Sequence, residues 1–242
     1  MHIPRPADII SANDLSDKEI YMEKAKAVIF DMDGTLLNTE HMLIECWCET
    51  AEIYGLDREE LVRTLHACIG LKAQDTQEIF RNVYGEDFDY ELFYGESGNR
   101  LMQKVEDGYL EIKPGACEIL EDLSSRGVVT ALGTSTRSSK TAARIKAAKM
   151  EKYFPIVVCG DMVQRGKPEP DVFLAVIEKL GLEPGEVFIV EDSNAGTEAA
   201  WRAGARVLMV PDILPPSEDT KQRCEAIFED LFGVMEYLRD TV

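Results

Sequence analysis

Positive charge is scarce in this chain. Its 26 Lys and Arg stand against 45 Asp and Glu, a formal net charge of -19 over 242 residues. A surface of that sign repels phosphate backbones, because nucleic-acid binding draws on clustered Lys and Arg. Nucleic acid is therefore not an expected partner. Long apolar runs are missing too: none approaches the roughly 20 residues needed to cross a bilayer, so no membrane is expected either. The polar, acidic start MHIPRPADIISANDLSDKEIYMEK lacks the apolar centre of a secretion signal. Residues 1–24 read as an N-terminal extension, with the cytoplasm as the expected location. The six cysteines contain no C-x-x-C pair, and only three histidines accompany them. Zinc would want closer ligand pairs, so buried free thiols are expected. With no low-complexity tract, 45% hydrophobic and 29% charged residues describe a soluble globular chain.

What is present is a rhythm. Short β-branched runs, nearly continuous in apolar character, recur at 25–30, 128–133, 155–160, 186–190 and 205–210. Strands buried on both faces of a parallel sheet read this way. Helix-length segments lie between the later ones, several stopped by glycine at 127, 181 and 204. The alternation predicts an α/β fold, a Rossmann-like doubly wound parallel sheet. Between the first and second strands the rhythm breaks, and 40–107 carries only helical patterns, near 41–55, 58–67, 74–84 and 88–106. An insert of this length is too long for an ordinary βα connection. It predicts an inserted all-helical domain, with the core built from 25–39 and 108–242. The stretch SEDTKQRCEAIFEDLFGVMEYL predicts one or two closing amphipathic helices.

Ligands of open α/β sheets bind beyond the carboxyl ends of the strands. Strand one ends in Asp31, Asp33, Gly34 and Thr35. Strand two ends in Thr134, Ser135 and Thr136, strand three in GDMVQRGKPEPD with Lys167, and strand four in Glu191, Asp192, Ser193 and Asn194. Each group has a bland use: a helix N-cap at 134–136, proline in a helix's first turn at 166–171, turn chemistry at 191–196. Their arrival at one rim is what argues for a site. Carboxylates at 31, 33, 191 and 192 cannot crowd together without a cation, and oxygen-only ligands suit Mg²⁺. Lys167 and the hydroxyls then make sense around a phosphoryl group. In that arrangement Asp31 attacks phosphorus, Asp33 protonates the leaving oxygen and then activates water, and Gly34 allows the tight turn. The basic run Arg137, Lys140, Arg144, Lys146 and Lys149 predicts a solvated helix face.

At these residues the sequence resembles the haloacid dehalogenase superfamily of aspartate-nucleophile phosphohydrolases. FDMDGTLLNTE (30–40), ALGTS (131–135), GKPEPD (166–171) and VEDSNAG (190–196) are similar to its four motifs in order. The resemblance implies Asp31 as nucleophile and metal ligand, and Asp33 as acid/base that also lends its carbonyl to Mg²⁺. It implies Thr134 on the phosphoryl group, Lys167 against its charge, and Asp192 with Glu191 at the metal. It makes 40–107 a cap that closes over the site and selects a small phosphorylated metabolite, a sugar phosphate or nucleoside monophosphate. The nearest branch looks like the one holding β-phosphoglucomutase and pseudouridine-5′-phosphatase. Mutases of that branch carry a cap histidine where this chain has Leu43, with His41 close by, and an arginine where it has Ala73 beside Lys72. Hydrolysis is therefore expected and mutase chemistry is the alternative. Gly34, Thr35, Ser135, Lys72 and Glu40 are the candidate substrate contacts, and no protein partner is indicated.

Overall fold

A computed structural model describes residues 24–68 and 73–242. Contacts divide the chain into two compact units, one of the residues up to Asn38 with Ile112–Val242, the other of Thr39–Glu111. The extension read over 1–24 lies, Lys24 apart, outside the described residues. No helix among the described residues is long and apolar enough to cross a membrane.

The first unit is built on β1 (Ala27–Phe30), whose four residues, all apolar, are fully buried. α5 (Ala116–Ser125), β2 (Val129–Gly133), α6 (Ser138–Ala147), β3 (Ile156–Val158) and α7 (Asp171–Leu180) follow. Then come β4 (Val187–Glu191), α8 (Asn194–Arg202), β5 (Arg206–Met209), α9 (Glu218–Arg223), β6 (Ala226–Ile227) and α10 (Leu231–Thr241). The six strands are parallel in the order β3-β2-β1-β4-β5-β6. The chain therefore starts mid-sheet, builds to one side, and returns past β1 to build the other. Where that reversal occurs, between β1 and β4, two neighbouring loops leave the sheet in opposite directions and open a crevice.

β6 corrects one expectation, since its stretch was expected to be helical. Two residues are too few to show a period of two. The strand exists because Glu225 N–H donates to Val207 O and Phe228 N–H to Met209 O, each at 2.8 Å. An existing edge recruits it. Cys117 is a second correction: it is exposed, whereas the other five cysteines are buried, and all six are free.

α6 ends in the left-handed pattern that usually takes glycine, but the residue is Lys149, at φ 57°. Met150 N–H closes the turn on Ile145 O at 3.0 Å. An L side chain costs about 1 kcal/mol in that region. Lys149→Gly is thus expected to stabilise the protein by roughly that amount in urea unfolding; a loss of stability would contradict this account.

The second unit holds α1 (Thr39–Tyr54), α2 (Arg58–Cys68), α3 (Ala73–Tyr84) and α4 (Tyr90–Glu106). Trp47 is its centre, edge-on to Phe80 at 5.5 Å and to Phe93 at 5.6 Å. Such pairs add about 0.5–1.5 kcal/mol beyond the area they bury. Leu43 packs partly buried into this helical core, while Tyr54, at the end of α1, is exposed.

Candidate active site

Beyond Phe30 the chain stays tied to the sheet for one more residue: Asp31 N–H donates to Val190 O at 3.0 Å. It then coils tightly, with Leu36 and Leu37 N–H both returning to Met32 O at 3.0 and 2.9 Å. Gly34 sits inside this turn at φ 81°, where a Cβ would stand 2.3 Å from Asp192 Oδ2. Both conformation and space exclude a side chain there. The close approach lets the loop after β1 and the loop after β4 share one pocket floor.

On that floor lie Asp31, Glu191 and Asp192, 5%, 1% and 7% exposed, with one carboxylate oxygen from each within 4.8 Å of the other two. Lys167 reaches in from the loop before α7. Its Nζ donates to Asp31 Oδ1 at 2.6 Å and to Glu191 Oε1 at 2.7 Å, 4.6 Å from the centre of the Phe173 ring. Glu191 is fully employed, since its Oε2 accepts Asp192 N–H and Ser193 N–H at 2.8 Å and Ser193 Oγ–H at 3.0 Å. Gly196 makes room for it: a Cβ there would overlap Glu191 Oε1 at 1.7 Å. Thr35, fully buried, donates its hydroxyl to Asp192 Oδ1 at 3.0 Å. Thr134 is buried, and its Oγ1 accepts Thr136 N–H at 3.1 Å; Ser135 is exposed at the same strand end.

Charge does not balance here. Three carboxylates face one ammonium. Burial, opposed by Lys167 but helped by Glu191 and Asp33, lifts Asp31 to about 8. Burial, then Glu191 and Asp31, hold Asp192 well above the carboxylate range. Burial also pulls Lys167 down, but Asp31 and Glu191 outweigh it and keep the ammonium charged. The set is all oxygen, crowded and short of positive charge, which fits a hard divalent cation. The sign of the pH effect follows. A carboxylate raised from 3.8 to about 8 keeps its proton in the folded chain after the unfolded chain has lost it. Its contribution to stability is therefore full below about pH 4 and is lost as pH rises to about 8. A cation displaces that proton, so Mg²⁺ is expected to raise Tm more at pH 8 than at pH 5. At a hundredfold excess over Kd the gain is about 2.7 kcal/mol, or roughly 5–10 °C for a chain of this size. Thermal melts at the two pH values check this, and equal shifts would refute it.

Asp33 departs from the expected crowd of four. Its carboxylate is taken by Arg144 Nη1, donating to Oδ1 at 2.5 Å, and by Thr136 Oγ1, donating to Oδ2 at 2.6 Å. The basic run is corrected with it: Arg144 is 7% exposed, not part of a solvated face. The sequence did hold a signal. Thr141, Arg144, Ile145 and Ala148 have the i, i+3, i+4, i+7 spacing of one helix face, and all four are buried. Of the remaining candidates, Glu40 lies in the first turn of α1 in the helical unit, beside exposed His41. Lys72 lies outside the described residues.

Four likenesses bear on this site. A family described as haloacid dehalogenase-like hydrolase matches residues 28–210. A phosphorylated carbohydrates phosphatase of Thermotoga maritima is 36% identical over 180 residues, 74% of this chain and 82% of that protein. Hexitol phosphatase A of Escherichia coli is 31% identical over 187 residues, 77% and 83% of the two chains. A crystal structure of a Thermotoga maritima protein, provisionally assigned as a β-phosphoglucomutase, is 30% identical. It superposes with a TM-score of 0.74 over 90% of this chain and all of that one.

Proposed function

Because the chain belongs to the haloacid dehalogenase-like hydrolases and is a phosphoric monoester hydrolase, we propose that it hydrolyses the phosphate monoester of a small phosphorylated carbohydrate through an aspartyl-phosphate on Asp31. The observation that carries this is the convergence of Asp31, Lys167, Glu191 and Asp192 within hydrogen-bonding or ligand distance on one floor. Relatives named as phosphatases of phosphorylated carbohydrates and of hexitols support the substrate class.

Each chain residue has a definable task. An Asp31 carboxylate oxygen attacks phosphorus, the P–O bond to the sugar breaks, and the departing oxygen takes a proton from Asp33. Water then attacks the same phosphorus, Asp33 recovers a proton from it, and Asp31 leaves as a free carboxylate with inorganic phosphate released. Lys167 offsets charge on the phosphoryl oxygens, and Glu191 holds Lys167 in place through its bond to Nζ. Thr134 and Ser135, at the end of β2, offer hydroxyls to the phosphoryl group, and Thr35 orients Asp192 through its hydroxyl. Mg²⁺ held by Asp31, Asp192 and the Asp33 carbonyl, with Glu191 near it, would supply positive charge against the phosphoryl oxygens. Residues 40–107 serve as the cap that selects the sugar, with Glu40 and Lys72 as its candidate contacts.

Hydrolysis is preferred to phosphosugar isomerisation because the apolar Leu43, partly buried against the helical core, stands where a mutase needs a proton-carrying side chain. A panel of hexose, hexitol and pentose phosphates and nucleoside monophosphates, with Mg²⁺, tests the proposal. Phosphate release from a sugar phosphate is expected. Silence across the panel, or conversion of β-glucose 1-phosphate to glucose 6-phosphate outrunning phosphate release, would end it.

A further inference from the structure

We propose that Arg144 and Thr136 form a clamp that positions the Asp33 carboxylate, and that this clamp controls turnover without touching substrate. The inference rests on the assignment of Asp33 to proton transfer made above. Its basis is geometric. Each oxygen of Asp33 has its own donor, a guanidinium nitrogen at 2.5 Å and a hydroxyl at 2.6 Å. The two donors come from different places, the loop after β2 and the second turn of α6, so they define the carboxylate plane and not merely its distance.

The surroundings argue that Arg144 is there for Asp33. Its side chain is 8% exposed and that of Asp33 11%. Burying a guanidinium is costly, and apolar residues of similar volume commonly do as well or better for stability. Thr141, Ile145 and Ala148 line the same face of α6 without charge. Arg144 Nε is buried with no hydrogen-bond partner, so the site has not been arranged to satisfy the whole guanidinium. What is satisfied is the end that meets Asp33. Asp33 occupies the second position of a turn whose backbone is set by Met32, Gly34 and Leu37. Its side-chain rotation is the one freedom left, and the clamp removes it. A misplacement of about 1 Å in a proton-transfer group costs on the order of 10²-fold in rate.

Arg144→Met keeps volume and removes the charge. It is expected to lower kcat about 10²-fold with KM within roughly threefold. The same substitution placed on Asp33→Asn should cost less than about threefold, because the group it positions has gone. Arg144→Lys, which keeps one charged donor, should restore kcat to within about tenfold, and Thr136→Val should fall between. An equal loss in both backgrounds would overturn the clamp, as would a rise in KM at unchanged kcat, wild-type turnover in Arg144→Met, or no recovery with Lys. If Arg144→Met does not fold, the Lys and Thr136→Val variants carry the same cycle. Asp31→Asn serves as the control. If it is inactive while Arg144→Met is normal, the clamp alone is wrong. If it is active, the reading of the site falls and the clamp with it.

Discussion

Asp31→Asn is expected to reduce phosphate release by at least about 10⁴-fold for every substrate, as loss of a nucleophile does in enzymes whose reacting groups act as a unit. It is expected to leave the fold intact, and the reason lies in the charge balance. Asp31 is buried against Glu191 and Asp192, and its carboxyl is pushed up to about 8 because ionising it there is unfavourable. An amide of the same shape removes one negative charge from an overcrowded floor, and Lys167 keeps Glu191 as a partner at 2.7 Å. Without metal, the variant should therefore melt no lower than the parent at pH 8. Phosphate assays and circular-dichroism melts measure the two effects separately. More than a tenth of the parent activity would remove Asp31 from the reaction. A collapse of the fold would instead mark it as structural.

Lys167→Met should do the opposite to stability and the same to activity. It takes the one ammonium that the described residues bring to the floor and leaves Asp31 and Glu191, both nine-tenths or more buried, without their shared partner. Removing one member of a buried pair costs about 3–5 kcal/mol. The penalty grows with pH, because Asp31, already lifted by burial, can take up a proton at low pH but at pH 8 must ionise beside Glu191 without its cation. Turnover should fall about 10³-fold through lost stabilisation of the phosphoryl charge. Denaturant unfolding at pH 5 and pH 8 without metal checks the stability effect. A variant within 1 kcal/mol of the parent at both would show that the ammonium does not hold the floor together. Taken together, the two substitutions separate charge from chemistry: both silence the site, but only one loosens the protein.

Much of this was legible beforehand, and the reason is local. A buried strand of a parallel sheet needs an unbroken apolar run, so AVIF at 27–30 and VFIV at 187–190 announce themselves. Groups that serve a crevice must follow such runs, so Asp31, Thr134, Lys167 and Asp192 were picked out as candidates by position, and the structure brings Asp31, Lys167 and Asp192 to one floor. β6 was not legible, because two residues paired to an edge carry no periodicity. Arg144 was misread because a basic residue among other basic residues looks solvated. Its burial depends on Asp33, 111 positions away.

The amino-acid sequence by itself determined the α/β class, the helical interruption and the residue types delivered to each strand end, since burial and turn geometry constrain those within a few neighbours. Tertiary structure alone decided which charges meet. Asp31 and Glu191 share Lys167 on the floor, Asp192 takes the Thr35 hydroxyl, the carboxylate of Asp33 turns to Arg144, and Glu191 spends both oxygens on holding others. Those pairings are settled by packing between distant segments, where the energy of a buried charge depends on what stands within a few ångströms and not on what stands beside it in the chain.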